Sequence, residues 1–252
     1  MKPILSVKLL AGILICLITV SCSSDKKPDA QQIVDRAIEV HGGEKFNELV
    51  VSFRLRDKQY RALRDNGAFV YSRSFTDSTG NQIYDVLRNS GFERQKNDTV
   101  IAITQEKAIA YSASVNSVVY FALLPYFLND AAVVKEYAGE ASIKGEPYYK
   151  VKVTFKQEGG GEGHEDIYIY WFHQLNNTMD YLAYSFKEDG GGTRFREAVN
   201  AHEIGGIRFQ DYLNYTSEEP IQLENYDKAF EAGTLKKISA INLEEIVVKP
   251  LK

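Results

Sequence analysis

Apolar and polar positions alternate most clearly across residues 141–216, where they predict six antiparallel strands joined by tight turns. After Ile143 and a Lys144-Gly145 turn, Tyr149, Val151, Val153 and Phe155 alternate with Lys150, Lys152, Thr154 and Lys156. A period of two gives such a strand one dry and one wet face, and Gly145 supplies the positive φ of a short hairpin. The next strand differs. Ile167, Ile169 and Trp171 share one face, and Tyr168, Tyr170 and Phe172 the other. Apolar on both sides, it must be covered on both. The return strand, 178–187, puts Tyr181 and Ala183 on one face and Leu182, Tyr184 and Phe186 on the other. Pairing about Asn176-Asn177 sets Tyr170 near Tyr181, a favourable aromatic pair. A last hairpin turns at Gly205-Gly206, opposing Glu203 to Arg208, His202 to Phe209 and Asn200 to Asp211. Glycine triplets at 159–161 and 190–192 fall in turns at one end of this meander and form a common rim.

Helical spacing appears earlier. Asp29 and Gln32 read as a capping box, followed by Ile33, Val34, Ala37, Ile38 and His41, with Gly42-Gly43 as the stop. His41 is expected to act as a charge partner for the helix C-terminus. A turn of helix covers 44–48. Strands follow at 49–56, 67–75, 82–88 and 99–104, between turn signals such as Asp65-Asn66-Gly67 and Ser78-Thr79-Gly80. The segment 116–128 breaks the rhythm. It is nearly all apolar, with Pro125 in its middle. A helix apolar all round is buried, so this one covers a face of the sheet or plugs its concavity. Residues 225–232 read as a short helix, and 238–248 as an edge strand. The fold class is mainly β (α+β), antiparallel throughout, with 29–252 as a single domain.

The first 21 residues read as a secretory signal. Lys2 and Lys8 give a positive start, and the apolar run 9–20 is shorter than the roughly 20 residues that span a bilayer. The run ends in Thr19-Val20-Ser21-Cys22, which resembles a bacterial lipobox with Thr19 where Leu is usual. Cys22 is therefore the expected lipidation site, and 22–28 a tether; acyl chains at about 0.8 kcal/mol per buried methylene hold such a protein to a membrane. Only Cys16 and Cys22 are present, so the body has no disulfide, no thiol nucleophile and no Cys-ligated zinc. Loss of Lys2 and Lys8 makes the formal charge of −4 more negative by two, which argues against a nucleic-acid partner. The 16 Tyr and 13 Phe suit aromatic-lined β walls.

An acylated cysteine, a short N-terminal helix, many antiparallel strands and an apolar helical interruption together resemble the lipoprotein carriers LolA and LolB. The segments FALLPYFLND (121–130), EGGGEGHEDIYIYW (158–171) and YLAYSFKEDGGGTRFREA (181–198) resemble uncharacterised Bacteroidota lipoproteins of that kind. The resemblance implies a single curved sheet, a half-barrel, with 116–128 as a helical lid. It also implies an outer-membrane envelope protein whose concavity holds a lipid or lipoprotein ligand. It carries no catalytic residue.

Candidate ligand-lining residues are Phe121, Leu124 and Phe127 of the lid with Tyr168, Tyr170 and Tyr181 of the sheet. Arg194, Arg196, Asn200 and His202 alternate onto one face near Asp211 and Tyr215, where arginines could grip a headgroup phosphate or a carboxylate. His164, with Glu158, Glu162, Glu165, Asp166, Glu188 and Asp189, makes an acidic rim that matches no metal-ligand spacing. No nucleophile elbow, HExxH or phosphate loop appears. The reading is a monomeric, cofactor-free, non-catalytic binder of an apolar ligand; a protein-interaction module and a metal-assisted hydrolase at the rim are the alternatives. Acylation is directly testable: a palmitate analogue is expected to label the native chain and not Cys22→Ser. Undiminished labelling of the variant would remove Cys22 as the anchor.

Overall fold

The computed structural model describes residues 27–158, 165–187 and 190–251. The signal, Cys22, glycines 159–161, Glu162, His164, Glu188 and Asp189 lie outside them. Helix α1 (Ala30–His41) leads into six strands, β1 (Glu48–Leu55), β2 (Lys58–Asp65), β3 (Ala68–Thr76), β4 (Gln82–Arg88), β5 (Gly91–Lys96) and β6 (Thr99–Val100). Helix α2 (Gln105–Ala122) precedes six more, β7 (Val133–Ile143), β8 (Glu146–Phe155), β9 (Tyr168–His173), β10 (Met179–Phe186), β11 (Gly192–Ile204) and β12 (Ile207–Thr216). Helix α3 (Tyr226–Glu231), β13 (Lys236–Ile241) and β14 (Glu244–Pro250) complete the chain.

The strands form two seven-stranded antiparallel sheets, ordered β14-β1-β2-β3-β4-β5-β6 and β13-β12-β11-β10-β9-β8-β7. The chain steps from one to the other between β13 and β14 through Asn242-Leu243 alone. The sheets also meet at the β11–β12 hairpin. Gly205, at φ +61°, lies so close to β14 that a Cβ there would sit 2.8 Å from Val248. Ile207 and Phe209, at the start of β12, are buried in the core of the first sheet. The result is an open, mainly β half-barrel of two joined arms.

Both faces of β9 are covered, as its sequence requires. Tyr170 and Phe172 pack with Ile33, Val34 and Ala37 of α1 and with Leu124 and Leu128. Ile169 and Trp171 pack with Tyr181, Phe195, Leu223 and Tyr226, under α3. The expected wet face of β8 is covered too. Lys150 is buried beneath α3, where its ammonium donates to the Glu224 carbonyl (3.1 Å) and faces Asp227 (3.5 Å). Alternation marked the polar face of that strand but not the helix that would lie on it.

Several other expectations are corrected. Strands β2 and β5 were not legible, because charged residues interrupt both; the two-residue strand β6 replaces the expected 99–104. Helix α2 begins at Gln105, well ahead of the expected segment, capped by Thr104 accepting from the Lys107 amide (3.3 Å). It stops ahead of Pro125, as a helix must. The segment 238–248 splits into one edge strand for each sheet. Two bulges shift the registers by one residue, which exchanges faces. One bulge, between Met179 and Tyr181, pairs Tyr181 with Trp171 and Tyr170 with Leu182. The other, between Val199 and His202, pairs Asp211 with Val199; the Glu203–Arg208 and His202–Phe209 pairs form.

His41 also departs from expectation. It is buried, and its Nε2 accepts from the Met179 amide (3.2 Å), tying α1 to β10. Burial, with Arg208 nearby, lowers its pKa to about 3. The ring is therefore neutral at the helix end and is no charge partner there. A histidine depressed in the folded state adds stability that is complete above its unfolded pKa near 6.5 and is lost as pH falls from there toward 3. Urea unfolding is expected to show the native chain losing about 2 kcal/mol more than His41→Gln between pH 6.5 and pH 5. Parallel losses in the two proteins would rule out His41 as the titrating group.

Candidate ligand-binding cavity

The C-terminal half of α2 wedges between the two arms. Val115 and Val119, continued by Leu123 and Phe127, are buried against the first sheet. Phe121, with Leu124 and Leu128, packs against the second. The side of the helix between these two packed stripes is only partly covered. Ser117, Val118, Phe121 and Ala122, at helical spacing on one side, border a cavity of about 270 Å³. Its other walls are Leu55 and Arg56 at the end of β1, Arg196 and Tyr212 from neighbouring strands, and Ile241 and Leu243 at the inter-sheet step. The helix is therefore not buried all round, as its apolarity had suggested. Small side chains at Ser117 and Ala122 leave the space open.

Polar groups fix the walls. Asp211 accepts from the Leu243 amide (2.9 Å) and from the Asn200 side chain (3.1 Å), which holds the step between β13 and β14 in place. Arg54 bridges to Glu244 (2.5 Å) and Glu245 (3.1 Å), locking the end of β1 against the same step. The other end of α2 is docked on the first sheet by a buried ion cluster. Asp85, with no exposed surface, takes Arg73 at 2.6 Å and Arg94 at 2.6 Å. Arg73 donates onward to Ser114 of the helix (2.7 Å), and the Arg94 guanidinium lies 3.5 Å from the Tyr111 ring centroid.

The cavity itself carries one buried charge. Arg196 is 9% exposed. Its Nη2 donates to the Tyr184 hydroxyl (2.8 Å), and its guanidinium carbon lies 4.3 Å from the Phe121 ring centroid and 5.0 Å from that of Tyr184. Burial pushes the Tyr212 phenol up to about 12 and holds those of Tyr120 and Tyr170 above their ordinary values, so all three stay neutral around it.

Of the lid and sheet residues expected to line a ligand site, only Phe121 borders this space. Leu124 is buried against the second sheet and Phe127 against the first. Tyr168 stacks on Tyr170 and Tyr184 on the same face as Phe121. Tyr181 belongs to the opposite face. Of the polar group, Arg196 borders the cavity. Arg194 lies over Phe186 and bonds the Thr193 carbonyl, His202 is exposed beyond the bulge, and Tyr215 bonds Glu197 on the other face. At the rim, Glu165 pairs with Lys187. Among the described residues no three His, Cys, Asp or Glu side chains gather as metal ligands. Tyr212 was within reach of sequence reasoning only if the bulge had been placed. Leu55, Arg56, Ile241 and Leu243 carry no sequence signal, since strand ends far apart in the chain meet there. A wider depression of about 420 Å³ between the first half of α2 and Leu87 and Phe92 is open, and no orphaned buried polar atom faces it.

The chain matches a family of unknown function, DUF6503, over residues 8–242, and belongs to it. No curated protein matches it in sequence. Among solved structures it is similar to a LolA superfamily protein from Nitrosomonas europaea, with 12% identity and a TM-score of 0.50 over 89% of this chain and 96% of that one. It is also similar to an outer membrane lipoprotein-sorting protein domain from Vibrio parahaemolyticus, with 6% identity and a TM-score of 0.44 over 88% and 94%. The first likeness shows the fold, a LolA-like half-barrel.

Helix docking through Asp85 yields a measurable expectation. Asp85→Ala strands two buried guanidinium groups and is expected to cost roughly 3–5 kcal/mol in urea unfolding. Ser114→Ala, which removes one hydrogen bond, is expected to cost about 1 kcal/mol. A loss below that for Asp85→Ala would show that the cluster does not anchor α2.

Proposed function

We propose that this protein is an envelope lipoprotein, anchored to the outer membrane by acylated Cys22, that holds one apolar chain of a lipid or acylated protein beneath α2 without catalysing a reaction on it. The observation that carries this reading is the cavity between helix and sheets. Its walls are Leu55, Val118, Phe121, Ala122, Ile241 and Leu243, and one end opens beside the exposed Arg56. At about 270 Å³ it lies just below the span of roughly 300–1,000 Å³ typical of small-molecule sites. That volume suits a single hydrocarbon chain and is too small for several acyl chains together. Transfer of such a chain out of water supplies about 0.8 kcal/mol per methylene, enough for tight binding without specific polar contacts.

Organic extraction and mass spectrometry of the purified protein are expected to return about one lipid per chain, as for a single site. Ala122→Trp fills the cavity from the helix side. It is expected to lower the extracted lipid by about tenfold or more, the effect of some 1.4 kcal/mol of lost binding, while the unfolding transition stays cooperative. An unchanged lipid content in that variant would place the ligand elsewhere and end the reading.

A further inference from the structure

We propose that Arg196 makes this cavity selective for an amphiphile with an oxyanionic headgroup, a carboxylate or a phosphate, over a neutral one with the same chain. The proposal rests on the lipid-binding reading above and adds the chemistry of the headgroup.

Its starting point is an imbalance among the buried cations. Arg73 and Arg94 share Asp85, and Lys150 faces Asp227. Arg196 is as buried as these, yet among the described residues no carboxylate lies within ion-pair distance of it. Its contacts are neutral: the Tyr184 hydroxyl and the faces of Phe121 and Tyr184. Its Nε is buried with no hydrogen-bond partner. The hydroxyls of Tyr120 and Tyr170, in the adjoining core, are likewise buried without partners.

A buried charge left unpaired is costly, and the cost is relieved when an opposite charge arrives. A guanidinium offers a planar fork of donors that matches a carboxylate or phosphate group, and such charge-assisted bonds are the strong ones. The two aromatic faces hold the fork in place while leaving its Nε edge unbonded. Because Arg196 borders a mostly apolar space with Phe121, Tyr212 and Ile241, a bare anion would satisfy the charge and leave the apolar walls uncovered. An amphiphile satisfies both. The exposed Arg56 at the rim adds to the positive potential at the entrance.

The test uses the full chain in phosphatidylcholine vesicles with three diazirine-bearing probes of one chain length, a fatty acid, an alkyl phosphate and a fatty alcohol, each normalised to its membrane partition. Photolabelling is read on the peptides that carry Phe121 and Ile241. In the native protein the acid and the phosphate are expected to label about tenfold to a hundredfold more than the alcohol, the range for a hydrogen bond to a charged group. Arg196→Met is expected to equalise the three, and Arg196→Lys to restore part of the difference. Equal labelling by acid and alcohol in the native chain overturns the headgroup preference and leaves the apolar site standing. Labelling by none of the probes overturns the lipid-binding reading itself. A preference that survives Arg196→Met but is lost in Arg56→Gln moves the headgroup to the rim and overturns the assignment to Arg196. Full competition by inorganic phosphate alone shows a free-anion site and overturns the amphiphile. The native probe series decides the preference even if a variant folds poorly.

Discussion

A strand that is apolar on both surfaces cannot lie at the boundary of a protein, and β9 is such a strand. With Ile169, Tyr170, Trp171 and Phe172 all buried, it needs a layer on each side. One layer is α1 with the segment that follows α2; the other is α3 and its approach. The covering elements come from the start, the middle and the late part of the chain, so distant segments converge on the second sheet, while the last strand, β14, returns to the first. The first sheet has no such strand. Its inner face is shared between hydrophobic residues and the Asp85 ion cluster, and its helix is held by both.

Helix α2 therefore has two different attachments. Its N-terminal half rests on the first sheet through Ser114, Tyr111 and the arginines above Asp85. Its C-terminal half is held by aliphatic and aromatic packing against both arms. Between the arms, where β13 passes into β14, the curvature leaves room that Ser117 and Ala122 are too small to fill. Interiors are normally packed to crystal-like density. A gap with mostly apolar walls beneath a helix is therefore where this fold departs from that density.

Charge is placed with the same economy. Buried arginines and a buried lysine in the two arms have carboxylate partners, and these pairs fasten helices to sheets. Asp211 fastens a backbone step instead, through the Leu243 amide. Arg196 differs because its neighbours are neutral rings, and burial keeps the nearby phenols from ionising. The contrast within one molecule separates charges that build the fold from one that faces a cavity.

Much of this architecture was legible in the residues. Alternation gave six of the seven strands of the second sheet, the two-sided character of β9, and the turns at Gly145 and Gly205-Gly206, because side-chain period and turn chemistry are local properties. Alternation also picked Arg196, and the apolar run 116–128 picked Phe121, as residues of interest. Tertiary structure decided the rest. A single-residue bulge near Asp180 put Tyr181 behind the sheet, and another at Asn200 replaced Tyr215 with Tyr212 on the face of Arg196. The N-terminal half of α2 lacks the run of large apolar residues that marked 116–128, and an ion cluster docks it. A cavity wall assembled from Leu55, Phe121, Arg196 and Ile241 joins positions far apart in sequence, so no local pattern could announce it. Local periodicity determined which side chains share a strand face; which faces meet depended on register and on the packing of distant segments.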